Sequence, residues 1–120
     1  MASTKIPLEL TAYAPDADGA TLELQTTDTT VTDGSVLGKI EFKAPKEASG
    51  TDAILVGAAI EAVAEGTFAA DNNATELVFK TGASEAATQK MVLTSEGNLG
   101  IGTTAATGVR LDIRNDSTTT

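Results

Sequence analysis

The chain has 120 residues, no cysteine, no histidine and no tryptophan, and its formal net charge at pH 7 is −9. The missing cysteine and histidine exclude disulfides, Cys/His zinc sites, iron–sulfur clusters and every nucleophilic arrangement built on a Ser-His or Cys-His pair. The acidic balance opposes binding to nucleic acid and to anionic membranes. We therefore expect no cofactor, no nucleic-acid partner and no membrane partner.

Aromatic residues, which supply much of the buried area in small domains, are scarce. The chain has three Phe and one Tyr, and Ala and Thr together make up a third of its residues. A core built from these side chains is thin, and a small domain without disulfides or metals commonly gains burial from partner subunits. The composition therefore predicts an oligomer, and the abundance of Thr favours β structure.

The N-terminal third alternates apolar and polar residues at three places. Residues 5–10 follow a period of two, but Pro7 cannot donate to a ladder, which predicts an edge strand. Residues 22–24 predict a second short strand. Residues 38–43 predict a third strand, with Ile40 and Phe42 on one face and three charged residues on the other.

Residues 53–65 fit two kinds of element. Their Ala content permits a helix with Asp52 as the N-cap and Gly66 just past its end. With a period of two, the same residues form a long strand that places every second residue from Ile54 to Ala64, including Ile60, on one face. A strand is favoured because Gly57 is poorly placed in a helix interior and because the neighbouring elements are strands.

The C-terminal part predicts short strands separated by turns. Strands are expected over residues 76–81, 90–94, 99–102 and 110–114, with turns at residues 71–73 and 95–98. Gly100 and Gly102 stand at alternate positions of the third of these strands. Such glycines allow another backbone or a packed side chain to come close.

Two stretches, 77–82 (LVFKTG) and 89–104 (QKMVLTSEGNLGIGTT), resemble a recurrent module of bacteriophage fibre proteins. In that family a strand ending in a Thr-Gly-like turn is followed by a run of the type K/R-M-x-I/L-x-S-x-G-N-V/L-G-I-G-T-T. The module occurs in tail fibres, head fibres and related virion proteins, often upstream of a self-cleaving intramolecular chaperone domain. The resemblance covers roughly residues 37–113, and residues 97–104 are its specific part.

The resemblance implies an elongated homotrimer located in the virion. Together with the strand pattern, it predicts an all-β fold in which short antiparallel strands form a small β-sandwich or an intertwined β module. Two departures are visible: Ala105 and Ala106 stand where the family commonly has Ser-Pro, and the chain stops before any chaperone domain. We expect an N-terminal segment at residues 1–20, a fibre domain at 21–104 and the start of a shaft at 105–120.

The apolar residues of the predicted strands are the candidates for the core of the trimer. They are Ile40, Phe42, Leu77, Phe79, Met91, Leu93, Leu99, Ile101, Leu111 and Ile113. The alternative is that they form an ordinary sandwich core within one chain.

The N-terminal segment is the candidate for virion attachment, because an exposed strand there could add to a sheet edge of a partner protein. The residues assigned to this role are Lys5, Ile6, Leu8, Leu10 and Tyr13. The alternative is a frayed terminus without a partner.

Candidate chemical sites are few. Glu61 with Glu65, or Asp16 with Asp18, could form the carboxylate pair of a glycosidase, but the chain offers few aromatic platforms for a sugar. Residues 16–19 (DADG) resemble the start of a calcium loop, but its twelfth position holds Thr27 instead of Glu. Residues 97–102 lack the Lys-Ser/Thr of a phosphate-binding loop. We therefore expect no enzyme and no metal site.

The sequence thus predicts a trimeric segment that anchors and extends a phage tail or head fibre and that contacts other virion proteins. One alternative is a capsid decoration protein that stabilises the head. Another is a host-recognition protein that binds a surface glycan.

Overall fold

The computed structural model describes residues 19–44, 46, 48–104 and 108–114. This part of the chain is all-β, as predicted, and contains one six-stranded sheet. Its strands are β1 (Val36–Lys43), β2 (Val56–Ala64), β3 (Thr75–Thr81), β4 (Thr88–Leu93), β5 (Leu99–Ile101) and β6 (Leu111–Ile113). A single 3-10 turn, Asp52–Ile54, precedes β2, and no helix in the described part is long and apolar enough to cross a bilayer.

The strands lie side by side in chain order, so each strand pairs with the one that follows it. The pairs from β1 to β5 are antiparallel, but β6 runs parallel to β5. The expectation of antiparallel strands alone is therefore wrong at this last pair. The parallel pair is held by the Leu99 amide, which donates to the Arg110 carbonyl at 2.9 Å, and by the Arg114 amide, which donates to the Ile101 carbonyl at 2.9 Å.

Within the ambiguous stretch 53–65, residues 56–64 form the favoured strand, β2, whereas Ala53 and Ile54 belong to the 3-10 turn that precedes it. β2 has a ladder on each side, because it pairs with β1 and with β3. The ladders give every residue of β2 except Gly57 a partner on a neighbouring strand and leave the side chains on two alternating faces. Gly57 lies near the start of β2, where its carbonyl accepts a hydrogen bond from the Gly82 amide at 2.9 Å.

The strand predicted at residues 22–24 is not observed, because residues 21–28 have no regular structure. Leu24 instead crosses over β1 at Gly38. A Cβ placed on Gly38 would lie 2.8 Å from the Leu24 Cβ and 3.3 Å from its carbonyl oxygen. The alternation of Leu22 and Leu24 predicted a strand, but the backbone at Leu24 packs on the sheet instead of adding to its edge. Only a glycine at position 38 leaves room for Leu24 there.

The predicted turns are present. Gly97, with a φ of 80°, closes the connection between β4 and β5, and its amide donates to the Thr94 carbonyl at 2.9 Å. Glycine adopts this left-handed conformation without the Cβ penalty of other residues. In the turn before β3, Asn72 pairs with Ala69, and its side chain donates to the Thr67 carbonyl at 2.8 Å.

Candidate interaction surface

One face of the sheet carries an uninterrupted row of large apolar side chains. Residues that lie directly opposite each other on paired strands point to the same side of a sheet. Following the register from β1 to β6 links one residue of each strand: Ile40, Ile60, Phe79, Met91, Ile101 and Ile113. We call this set row B.

A second row runs beside the first on the same face. It links Gly38, Ala62, Leu77, Leu93, Leu99 and Leu111, and we call it row A. Phe42, two residues beyond Ile40 on β1, extends the same face toward Ala58 and Thr81. We refer to rows A and B with Phe42 as the apolar face.

All ten residues predicted for the oligomer core lie on this face. Seven of them are more than a third exposed, from 37% at Leu77 and Ile101 to 55% at Phe42, 57% at Leu111 and 67% at Ile113. Phe79, Met91 and Leu99 are partly exposed. No second sheet covers them within the described residues, so the sandwich core of the alternative is not formed there. Whether other subunits bury them stays a prediction.

Sequence reasoning omitted two residues that belong to this surface. Ile60 lies at the centre of row B, between Ile40 and Phe79. The period-two pattern of β2 carried the signal, but the helical alternative kept Ile60 out of the predicted core. Leu24 is half-exposed above Gly38, and no local pattern could have placed it there.

The opposite face of the sheet contains three of the four buried apolar residues of the described part; the fourth, Ala64, lies at the end of β2 on the side of the apolar face. Val78 and Val92 lie opposite each other on β3 and β4 and are almost completely inaccessible. Ala59 on β2 is also buried there. We call this side of the sheet the mixed face, because charged residues surround this small apolar centre.

Glu61 lies at the edge of that centre and forms an ion pair with Lys80. Its Oε2 lies 2.6 Å from the Lys80 Nζ, and the Glu61 side chain is only 11% exposed. Glu65, the other member of the candidate carboxylate pair, accepts a hydrogen bond from the Ser95 amide at 3.1 Å. Both carboxylates thus have structural partners, and the structure does not bring them together as an acid and a base.

The described residues give no support to the remaining candidate chemical sites. Asp16 and the attachment residues Lys5 to Tyr13 lie outside the described residues. Within the described part, no group of three or more acidic residues could hold a metal ion. A cleft of about 450 Å³ beside β4 and β5 has no aromatic side chain for a sugar to stack on; it is lined by Gln89, Lys90, Ile101, Gly102, Thr103 and Thr104.

Residues 97–104, on which the resemblance to fibre proteins chiefly rests, lie in the turn between β4 and β5, in β5 and just after it. Asn98, which is 7% exposed, donates from its backbone to the Thr94 Oγ1 at 3.2 Å and from its side chain to the Glu96 carboxylate at 3.3 Å. Its carbonyl accepts a hydrogen bond from the Thr94 amide at 3.0 Å. Asn98 is therefore a buried turn residue whose polar groups are used inside the chain.

The strand that follows alternates its residues between the two faces. Leu99 and Ile101 lie on the apolar face, while Gly100 is buried on the mixed face between Val92 and Asp112. Gly102, with a φ of 74°, turns the chain away while its amide donates to the Lys90 carbonyl at 2.9 Å. The glycines of the motif therefore shape the backbone, which agrees with the turn-and-strand interpretation and gives no sign of a phosphate loop.

Comparison of the chain with protein-family models and with the sequences of curated proteins finds no match.

Proposed function

We propose that the chain is a structural, non-enzymatic segment of a bacteriophage virion, a homotrimeric fibre piece that anchors and extends a tail or head appendage. The observation that carries this proposal is the apolar face, which spans all six strands and contains every residue expected in the trimer core. Exposed apolar patches of this extent are typical of surfaces that bind another protein.

The small number of buried apolar side chains supports the presence of partner subunits. Only Ala59, Ala64, Val78 and Val92 form a buried apolar core in the described residues. Small domains with so little buried surface are marginally stable alone, and the chain has no disulfide to compensate. Covering the apolar face with further subunits would supply the burial that a single sheet lacks.

The fibre module supports the virion assignment through its geometry. Its glycines form the β4–β5 turn and the exit from β5, and its two large apolar residues, Leu99 and Ile101, contribute to the apolar face. A fibre needs a repeatable, rigid surface for its neighbouring copies, and short strands with tight turns provide it. The motif therefore has a structural use in the proposed oligomer.

The test is to purify the phage particles whose genome encodes the chain and to detect it in them by mass spectrometry. The proposal expects the chain in stoichiometric amounts that are multiples of three per appendage. Labelled antibody seen by electron microscopy distinguishes a fibre location from decoration spread over the head. The absence of the chain from the particles would contradict the proposal.

Truncation tests the attachment role assigned to residues 1–13. A chain without them should still form its trimer but should no longer enter particles, because the apolar face lies outside this segment. Normal incorporation of the shortened chain would contradict the attachment role alone. Tight binding of the intact chain to purified host glycans would favour a recognition protein instead.

A further inference from the structure

β1 is an edge strand of the sheet, and part of its backbone points away from β2. On β2, the amide of Glu65 donates on the β3 side, whereas the amide of Ala64 donates on the β1 side. These directions alternate along an antiparallel ladder. The register therefore directs the even-numbered residues of β1 at β2, and the N–H and C=O groups of Lys39 and Glu41 face outward. No strand of the described part occupies this open edge.

We propose that residues 5–10 of the same chain occupy the open edge as a further strand, parallel to β1. They belong to the segment 1–18, which lies outside the described residues and directly precedes them. The apolar residues of 5–10 stand at every second position: Ile6, Leu8 and Leu10. The pairing concerns one chain and does not depend on the proposed function.

The alternation of residues 5–10 matches the two faces of β1. Their apolar residues, placed on the apolar face, lie beside Ile40 and Phe42, which are 42% and 55% exposed. Lys5 and Glu9 then lie on the mixed face, where β1 also carries charged side chains of both signs. Reversing the faces would bring leucines beside charges and charges beside Phe42, so the pattern fixes the face that each residue takes.

Pro7 selects the parallel direction. Neighbours on the same face of a parallel pair direct their backbone groups opposite ways, so that only one of the two points into the ladder. Pro7 shares the mixed face with Lys39 and Glu41, whose groups point into the new ladder, so the backbone of Pro7 faces away from β1. Its missing N–H therefore removes no hydrogen bond. An antiparallel strand would instead turn Pro7 toward β1 and lose a bond there.

The position of Leu24 supports the same direction. A strand parallel to β1 must be joined to it by a connection that contains a dozen or more residues and crosses one face of the sheet. Residues 11–35 are long enough, and among them Leu24 lies on the apolar face over Gly38. The stretch from residue 10 to Leu24 reaches up to about 45 Å when extended. This exceeds the length of β1, about 27 Å for its eight residues.

The crossover has the hand that parallel strands favour. In a chain of L-amino acids, a residue of an upward strand whose side chain points at the viewer directs its backbone groups to the right. Seen from the apolar face with β1 upward, Ile40 therefore points at β2 on the right, and the open edge lies on the left. A strand on the left, joined to β1 in front of the sheet, forms a right-handed crossover, as about 98% of such connections do.

The pairing also bears on the attachment role proposed for the same segment. An uncovered edge strand is a template for pairing with other chains, and residues 5–10 would cover it. Docking of this segment on a sheet edge of a virion protein would then require it to leave β1 and to exchange one ladder for another.

Hydrogen exchange of single amides, followed by NMR, tests the pairing. The amides of Lys39 and Glu41 should exchange at least about 100-fold more slowly in the full chain than in the chain without residues 1–13. The amides of Ile40 and Phe42 point at β2 and should stay protected in both, so they are internal controls. Fast exchange at Lys39 and Glu41 in the full chain would overturn the proposal.

Two proline substitutions at neighbouring positions test the direction within the full chain. Leu8→Pro removes an N–H that points at β1 in the parallel arrangement, so it should abolish the slow exchange of Lys39 and Glu41. Glu9→Pro removes an N–H that points away and should preserve the slow exchange. The opposite result would show an antiparallel strand, and equal behaviour of the two variants would overturn the pairing.

Isotope labelling distinguishes a strand of the same chain from a strand of a second copy. Labelled chain without residues 1–13 is refolded with unlabelled full chain, so that only the shortened copies are observed. Fast exchange at Lys39 and Glu41 in this mixture supports pairing within one chain, and slow exchange would overturn it. Light scattering on the same samples measures the oligomer separately, so failure of the strand pairing would leave the trimeric fibre standing.

Discussion

Gly102 packs directly against the backbone carbonyl of Arg114. The carbonyl oxygen fills the place that a Cβ on residue 102 would take. The contact arises because β6 runs parallel to β5, so the end of β6 lies beside the exit of β5. Gly102 also has a φ of 74°, where other residues are strained. This third glycine of the motif is therefore required for two separate reasons.

Replacing Gly102 by Ala should destabilise the protein by about 2–4 kcal/mol, since it adds a backbone clash to the left-handed strain. The measurement is the free energy of unfolding by chemical denaturation at one fixed protein concentration. Gly34→Ala is the matched control, because Gly34 has a φ of 81° but open space around its Cβ. It should lose only about 1 kcal/mol. Equal losses in the two variants would show that the contact with Arg114 has no effect.

The ion pair on the mixed face gives a second prediction. Lys80→Met leaves the Glu61 carboxylate, which is 11% exposed, without its cation. We expect a loss of about 1–3 kcal/mol in the free energy of unfolding, since Lys80 is itself partly solvated. Adding Glu61→Gln should recover part of that loss, because the buried charge is gone.

A matched control is the exposed pair of Lys39 and Glu41, whose Nζ and Oε1 atoms lie 2.7 Å apart. Solvent screens this pair, so breaking it with Glu41→Gln, which keeps Lys39 opposite Glu61, should change stability little. A loss in Glu41→Gln as large as that in Lys80→Met would contradict the assignment of burial to Glu61.

Glu76 predicts a dependence of stability on pH. Burial first, then the nearby carboxylates of Glu65 and Asp33, raise the pKa of Glu76 above its ordinary value of 4.5. The folded state therefore binds this proton more tightly than the unfolded state does. The contribution of Glu76 to stability rises as the pH falls through the raised pKa toward 4.5, and it is least favourable at neutral pH.

Glu76→Gln should therefore raise the melting temperature at pH 7, and the difference from the unchanged chain should shrink toward pH 4.5. The measurement is a series of thermal melts across that range. A variant that is less stable than the parent at pH 7, or a difference independent of pH, would contradict the assigned cause.

The substitution Ile113→Asp places one charge on the apolar face and so tests whether that face is buried in an oligomer. Ile113 is 67% exposed and lies on an edge strand, so the isolated sheet should tolerate the substitution. In the proposed oligomer the same carboxylate would be buried without a partner, which should weaken association by about 100-fold or more. Ser84→Asp adds the same charge in an exposed loop and should leave association unchanged. Sedimentation velocity measures both, and unchanged association of Ile113→Asp would contradict the role of this face.

The sequence predicted individual strands better than their arrangement. Alternation located β1, β3 and β4 to within two residues, and it placed Ile40 and Phe42 on one side of β1 because strand periodicity is a local property. The prediction of a strand instead of a helix was right for β2, but it relied on the neighbouring elements also being strands. Alternation also predicted a strand at residues 22–24, where packing of Leu24 over Gly38 decides the backbone path instead.

Pairing between residues that are far apart along the chain leaves no comparable signal in the sequence. The parallel alignment of β5 and β6 and the ion pair of Glu61 with Lys80 depend on which strands become neighbours. A pattern read along one strand does not contain that information. The register of six strands was needed to show that the predicted core residues form one surface.

The mass of the purified chain in solution tests the central claim most directly. One chain has a mass of 12.2 kDa. Light scattering coupled to size-exclusion chromatography at micromolar concentration should give three times that mass, because the apolar face is predicted to be buried between three copies. A stable, folded species of 12.2 kDa under the same conditions would contradict the account.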